Sequence, residues 1–176
     1  MSTSLYELSV ASYLQCVGGV EKVLAKGAEH ADAEGSDVNT LVGARLHESM
    51  LPLHFQIVSV VHHSLGAVRG LRAGEFRPPA GYPQDMDYAG LQSFLADAHA
   101  ELKEVSAEEI DALADQPMYF RMSNVEIPFT PENFVLSFSL PNLYFHATTA
   151  YDLLRMNGVT LGKSDYLGWL RKGLGT

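Results

Sequence analysis

Apolar residues recur near the helical period along most of this chain, and the places where the period breaks divide it into elements. Leu8, Val10, Tyr13, Leu14, Val17, Val20, Val23 and Leu24 repeat at intervals of mostly three or four, with Glu21, Lys22 and Lys26 mostly on the other side. Ser4-Leu5-Tyr6-Glu7 has the form of a capping box, so a helix is predicted to start there and to end near His30. Gly18 and Gly19 lie inside it, at roughly 1 kcal/mol of helix propensity each. A neighbour that approaches closely is one reason to place them there.

Ser36-Asp37 offers a cap for a short helical turn at Val38 to Val42, after which a second long helix is predicted from about Arg45 to Arg72. Its string MLPLHFQIVSVVHHSLGAVRGL is apolar on most faces, which marks a central helix, with Pro52 inside or near its start. Gly74, Pro78 and Pro79 end it, and RAGEFRPPAGYPQD reads as a surface connection without regular structure. Asp87 caps a third helix, Tyr88 to about Val105, and Ser106-Ala107-Glu108-Glu109 opens a short one to about Ala114.

The period then changes. PMYFRM and VEIPF flank Ser123-Asn124 as two alternating runs about a polar break, which predicts a β-hairpin. Thr130-Pro131 supplies an N-cap and a proline at the first helical position of the last long helix, which is kinked at Pro141 and stopped by Asn157-Gly158. The tail VTLGKSDYLGWLRKG is predicted to lie over the body with Tyr166, Leu167 and Trp169 as anchors, and Arg155, Lys163 and Asp165 as a surface ion-pair cluster or tail dock. Long helices with one small hairpin predict an all-α helix bundle, a single domain over residues 1–176.

Composition narrows the partners more than the chemistry. A chain of 176 residues can bury one substantial core, and its single cysteine, Cys16, suits a reducing compartment. A formal charge of −9 with scattered Lys and Arg argues against nucleic acid. No run reaches the roughly 20 apolar residues of a membrane span, and MSTSLYELSV lacks the pattern of a secretory leader, so a cytoplasmic location away from the membrane is expected. GxSxG, GxGxxG, HExxH and phosphate-cradling glycine loops do not occur. Cys16 on an apolar helix face reads as packing.

Seven histidines direct attention to metals. His30 and His99 sit in polar surroundings and are expected to be solvated; His47 and His54, seven apart, share a helix face. His62 and His63 point about 100° apart, so at most one faces a given site. Gln56, Ser59, His63 and Ala67 form one stripe, and on the last helix Asn142, His146 and Ala150 form another, with Thr149 beside it. Two histidines at i and i+4 plus a third from another helix can hold a divalent ion, but position 150 is Ala and Asp152 is turned away from His146. Three readings stay open: His146 as a hydrogen-bonded core residue, a metal-free ligand site of Gln56, His63, Asn142, His146 and Thr149, and a metal site of His63 and His146.

MLPLHFQ at 50 to 56, LPNLYFHATTAYDLLRMNGVTLGKSDYLG at 140 to 168 and the opening SLYELSV resemble an uncharacterised family, a domain of unknown function within the DinB and YfiT-like helical superfamily. The resemblance implies a DinB-like four-helix bundle, often a homodimer, whose metal-binding members take one histidine from the second helix and two spaced by four from the last. Carried over, those ligands fall on His63 or His54, on His146, and on Ala150, which cannot bind. The resemblance also marks Gln56, Asn142, His146, Thr149 and Tyr151 as recurring, without assigning them a task. The first expectation is a small-ligand-binding or stress-associated protein with a degenerate metal site and no cofactor. The alternative is a transferase or hydrolase that uses His146 and a second-helix histidine on Zn or Ni.

Overall fold

Local side-chain caps start several of the helices. In the computed structural model, which describes residues 3–79, 81 and 83–171, the Ser4 hydroxyl accepts the Glu7 amide at 3.3 Å and opens α1, Leu5–Leu8. Helix α2, Val10–Glu34, follows and stops at left-handed Gly35, beyond the predicted end near His30. Asp37 accepts the Asn39 amide at 2.9 Å and starts a 3₁₀ turn, Val38–Leu41. Asp87 and Ser106 cap α5, Tyr88–Lys103, and α6, Ala107–Asp111, by accepting the amides of Gly90 and Glu109.

The second long helix is shorter than predicted and broken in two: α3 runs Leu53–His63 and α4 runs Leu65–Ala73. Pro52 is its N-cap in extended backbone, so residues 45–52 form turns and His47 shares no helix face with His54. One device makes both unforeseen breaks. Ser9 and Ser64 are fully buried, and each hydroxyl donates to the carbonyl four residues earlier, Leu5 at 2.6 Å and Val60 at 2.7 Å. Such back-bonding competes with the helical ladder and lets the backbone leave it.

The connection after α4 is not wholly irregular, because Glu75–Phe76 forms β1. It pairs in parallel with β2, Met118–Met122, which pairs antiparallel with β3, Val125–Phe129, in the order β1-β2-β3. The hairpin turns at Ser123-Asn124 as predicted, with the positive φ of 51° on Ser123. Thr130 caps α7, Pro131–Phe134, which widens into a π-helical turn, Val135–Ser139, before α8, Leu140–Met156. The irregularity expected at Pro141 is thus taken up by the turn before it, since proline cannot donate to the preceding carbonyl ladder. Ser139 donates to the His63 carbonyl at 2.8 Å and receives the Tyr13 hydroxyl at 2.7 Å. This buried chain ties α2, α3 and the π-helical turn together and satisfies a carbonyl at the end of α3.

Helix α3 packs most extensively on α8, and α2 packs on α5, α8 and α9, Lys163–Leu167. The tail docks through Asp165, which is 6 % exposed, accepts the Gly162 amide at 2.8 Å and pairs with Lys22 at 3.0 Å and Lys26 at 2.9 Å. Tyr166 is half-buried, but Trp169 is 76 % exposed and is not the buried anchor expected; Lys172 and Gly173 of the predicted tail lie outside the described residues. Among the described residues no helix is long and apolar enough to cross a membrane.

The glycine pair on α2 explains the tail's approach. A Cβ on Gly19 would stand 2.2 Å from the Tyr166 carbonyl oxygen, whereas one on Gly18 would meet the His99 ring at an ordinary 3.4 Å. Gly19→Ala is expected to lower stability by about 1–3 kcal/mol, because backbone cannot yield as a side chain can and the helix-propensity gain of about 1 kcal/mol is smaller. Gly18→Ala keeps that gain. Urea denaturation of both variants checks the contrast.

Candidate functional site

Where α3, α8 and the small sheet meet, they enclose a cleft of about 390 Å³. Helix α3 contributes Phe55, Val58, Ser59, His62 and His63; the sheet and the loop after β1 contribute Phe76, Phe120, Pro78 and Pro79; the π-helical turn contributes Phe138, and α8 contributes Asn142 and His146. The sheet contributes because Phe76 and Phe120 sit side by side in the β1-β2 register. The π-helical turn places Phe138 between them and α8, 4.9 Å from Phe120 and 5.8 Å from Phe76.

Hydrogen bonds fix the protonation of His146. The Leu51 carbonyl can only accept, so the Gln56 atom 2.8 Å from it is the amide nitrogen. Gln56 Oε1 then faces His146 Nδ1 at 2.8 Å, so Nδ1 carries the hydrogen and Nε2 holds a bare lone pair. Leu51 is available to Gln56 because Pro52 starts α3 and leaves the preceding carbonyl outside the helix. Burial, with a smaller contribution from His62, pushes the His146 pKa down to about 4. His63 is pushed to about 3 by burial, His62 and His146. Burial also lowers His62, opposed by a backbone hydrogen bond with Arg77. All three imidazoles are therefore neutral at pH 7.

The structure brings His63 and His146 together as near-parallel rings, centroids 5.7 Å apart and planes 11° apart. His63 Nδ1 is buried with no hydrogen-bond partner. Gln56 stands behind His146 rather than in the cleft wall, and Asn142 lines the wall with its amide nitrogen donating to the Phe138 carbonyl at 2.7 Å. Thr149 lies apart: its hydroxyl donates to the Phe145 carbonyl at 2.8 Å, and it lines a shallow depression with Leu46, Pro141 and Tyr144.

Other expectations need correcting. His62 and His63 both line the cleft, because α3 ends at His63 and Phe76 lies against both rings, at 4.5 and 5.6 Å. His99 is not solvated, since Nδ1 meets Glu21 at 2.6 Å with the side chain 14 % exposed. Cys16 is buried and its thiol is pushed up to about 12 by desolvation, which removes thiolate chemistry near neutrality. The aromatic wall of Phe76, Phe120 and Phe138 is not evident from the sequence. Its signal is weak, since the three residues come from separate elements.

The donor set can be tested against a divalent ion. Catalytic zinc sites present three protein ligands, but no group of three or more His, Cys, Asp or Glu is arranged to hold a metal among the described residues. Ala150 is fully buried in the core where a second α8 ligand would be needed. The described residues do not fit a resident metal.

The family model for a domain of unknown function, DUF1993, matches residues 5–167. A crystal structure of a DinB family member protein from Shewanella denitrificans superposes with a TM-score of 0.80 at 25% identity, covering 97% of this chain and 96% of that one. No curated protein matches the chain.

Proposed function

We propose, for a chain that belongs to the DUF1993 family and has the DinB-like helical fold, that the cleft between α3, α8 and the sheet binds an uncharged small molecule. One observation carries this reading. Gln56 holds His146 in a single tautomer at the wall of an aromatic cleft, with its second nitrogen left for a ligand. The volume, about 390 Å³, lies within the range of small-molecule sites. No Asp, Glu, Lys or Arg is among the described residues that line it. A charged ligand would surrender its hydration there without a compensating partner.

Neutral aromatic fragments titrated into the protein are expected to shift the backbone NMR signals of α3, α8 and β1, and to leave α6 unmoved. Asn142→Trp, which fills the cleft from a half-buried position, is expected to abolish those shifts. Shifts that survive this substitution, or that fall outside the cleft, overturn the proposal.

A transferase or hydrolase in which His146 and a second-helix histidine work on a metal is supported less well. The donors number too few, and a group at about 4 is a weak proton acceptor beside the near-neutral values that suit general bases. The same value leaves His146 Nε2 a sound hydrogen-bond acceptor throughout the neutral range.

A further inference from the structure

Resting on that reading of the cleft, we infer that its ligand is a flat, uncharged aromatic ring that presents an N–H donor to His146 Nε2. The bonds that settle roles on α8 settle them as acceptors. His146 Nδ1 gives its hydrogen to Gln56, which leaves Nε2 as a lone pair. Asn142 gives an amide hydrogen to the Phe138 carbonyl, and among the described residues no group donates to its Oδ1. The two residues are four apart on one helix, so their side chains stand one turn from each other on the same face.

The two lone pairs on the α8 side of the cleft discriminate among ligands; Ser59, His62 and His63, each with a hydrogen of its own, line the α3 side. Turned toward α8, a ring whose edge carries only acceptors, or a carboxylate, would set lone pair against lone pair. A ring with an N–H satisfies Nε2, and its faces meet Phe76 and Phe138, which line the same cleft. A cleft of about 390 Å³ has room for a bicyclic ring.

Indole and benzofuran test this, because they share size and shape and differ in the N–H. Each is titrated into the full chain and into His146→Phe, which keeps a ring but has no lone pair. Affinity is read from NMR shifts, and the state of His146 from long-range proton-nitrogen spectra. Indole is expected to bind the wild type at least ten-fold tighter than benzofuran, to move the Nε2 signal of His146, and to lose its advantage in His146→Phe. Equal affinities for the wild type, or an advantage that persists in the variant, overturn the donor inference and leave the cleft as a ligand site. If neither compound binds at millimolar concentration while other neutral aromatics do, the donor inference alone falls. If no neutral aromatic binds, the reading of the cleft falls as well. Should His146→Phe not fold, the Nε2 signal decides: movement with indole and none with benzofuran supports the inference, and any other pattern overturns it.

Discussion

Phe134→Ala is expected to lower the free energy of unfolding by about 3–5 kcal/mol, the range for an aromatic side chain removed from a core. Phe134 is fully buried, with ring centroids 5.2 Å from Phe76, 5.7 Å from Phe138 and 6.1 Å from Phe129. It ends α7, so it joins the sheet to the π-helical turn from beneath. Two of the three rings it supports line the cleft, and their loss of backing should weaken ligand binding along with stability. The cavity should remain largely open, because β1 is two residues long and has little backbone to move inward. Phe134→Leu keeps most of the volume and is expected to cost less than about 1.5 kcal/mol. Urea denaturation of both variants measures the difference, and an alanine cost under 1 kcal/mol would mean that the aromatic cluster can repack around the gap.

Acid is expected to have the second large effect, in a window set by the cleft histidines. His63 and His146 have folded values of about 3 and 4, below the usual 6.5 of an unfolded chain. Between these limits the unfolded state binds more protons, so stability falls as pH drops from about 6.5 and levels off only below the folded values. Each proton contributes a slope of up to about 1.4 kcal/mol per pH unit, and the pair together, allowing for partial exposure, on the order of 3 kcal/mol by pH 4. Asp165 acts in a different window. The Gly162 amide, then Lys26 and Lys22, hold its carboxyl well below the usual carboxylate range, so its stabilisation is present above about pH 4 and is lost only below it. Denaturation at pH 7.5, 6 and 5 should therefore show a progressive loss in the wild type. His63→Phe removes an orphaned polar nitrogen and one of the three depressed cleft titrations, His62 being lowered by burial as well, and should flatten the loss. An unchanged profile in that variant would place the acid sensitivity elsewhere.

The parts of the fold legible in the sequence were those decided by a few neighbouring atoms. Ser4, Asp37, Asp87, Ser106 and Thr130 cap helices as their spacing predicts, Gly158 provides the left-handed stop, and the hairpin turns at Ser123. The membership that SLYELSV and the last helix suggested is confirmed by the family match and by the superposition. What escaped depends on burial. A serine in a helical run is neutral by propensity, and only the surroundings of Ser9 and Ser64 decide that it bonds backward and breaks the helix. Glu75–Phe76 becomes a strand because Met118–Met122 passes beside it, which no local pattern records. In the site, His63 and His146 were legible as polar positions on apolar faces. His62 was not, because the helical angle carries no information on what packs across the end of α3. Trp169 shows the opposite error, in which an aromatic residue was assumed to bury itself.

The widened turn at Val135–Ser139 fixes a phase relation that side-chain identity does not carry. Each residue advances a helix by about 100°, so one residue more or less in this turn rotates everything after it relative to everything before it. Phe134 upstream backs the rings of the cleft and His146 downstream lines its wall only at the present spacing. A relative that kept every aromatic and histidine but shed one residue here would hold the same parts out of register. Counting residues between Phe134 and His146 thus discriminates among relatives in a way that matching their letters does not.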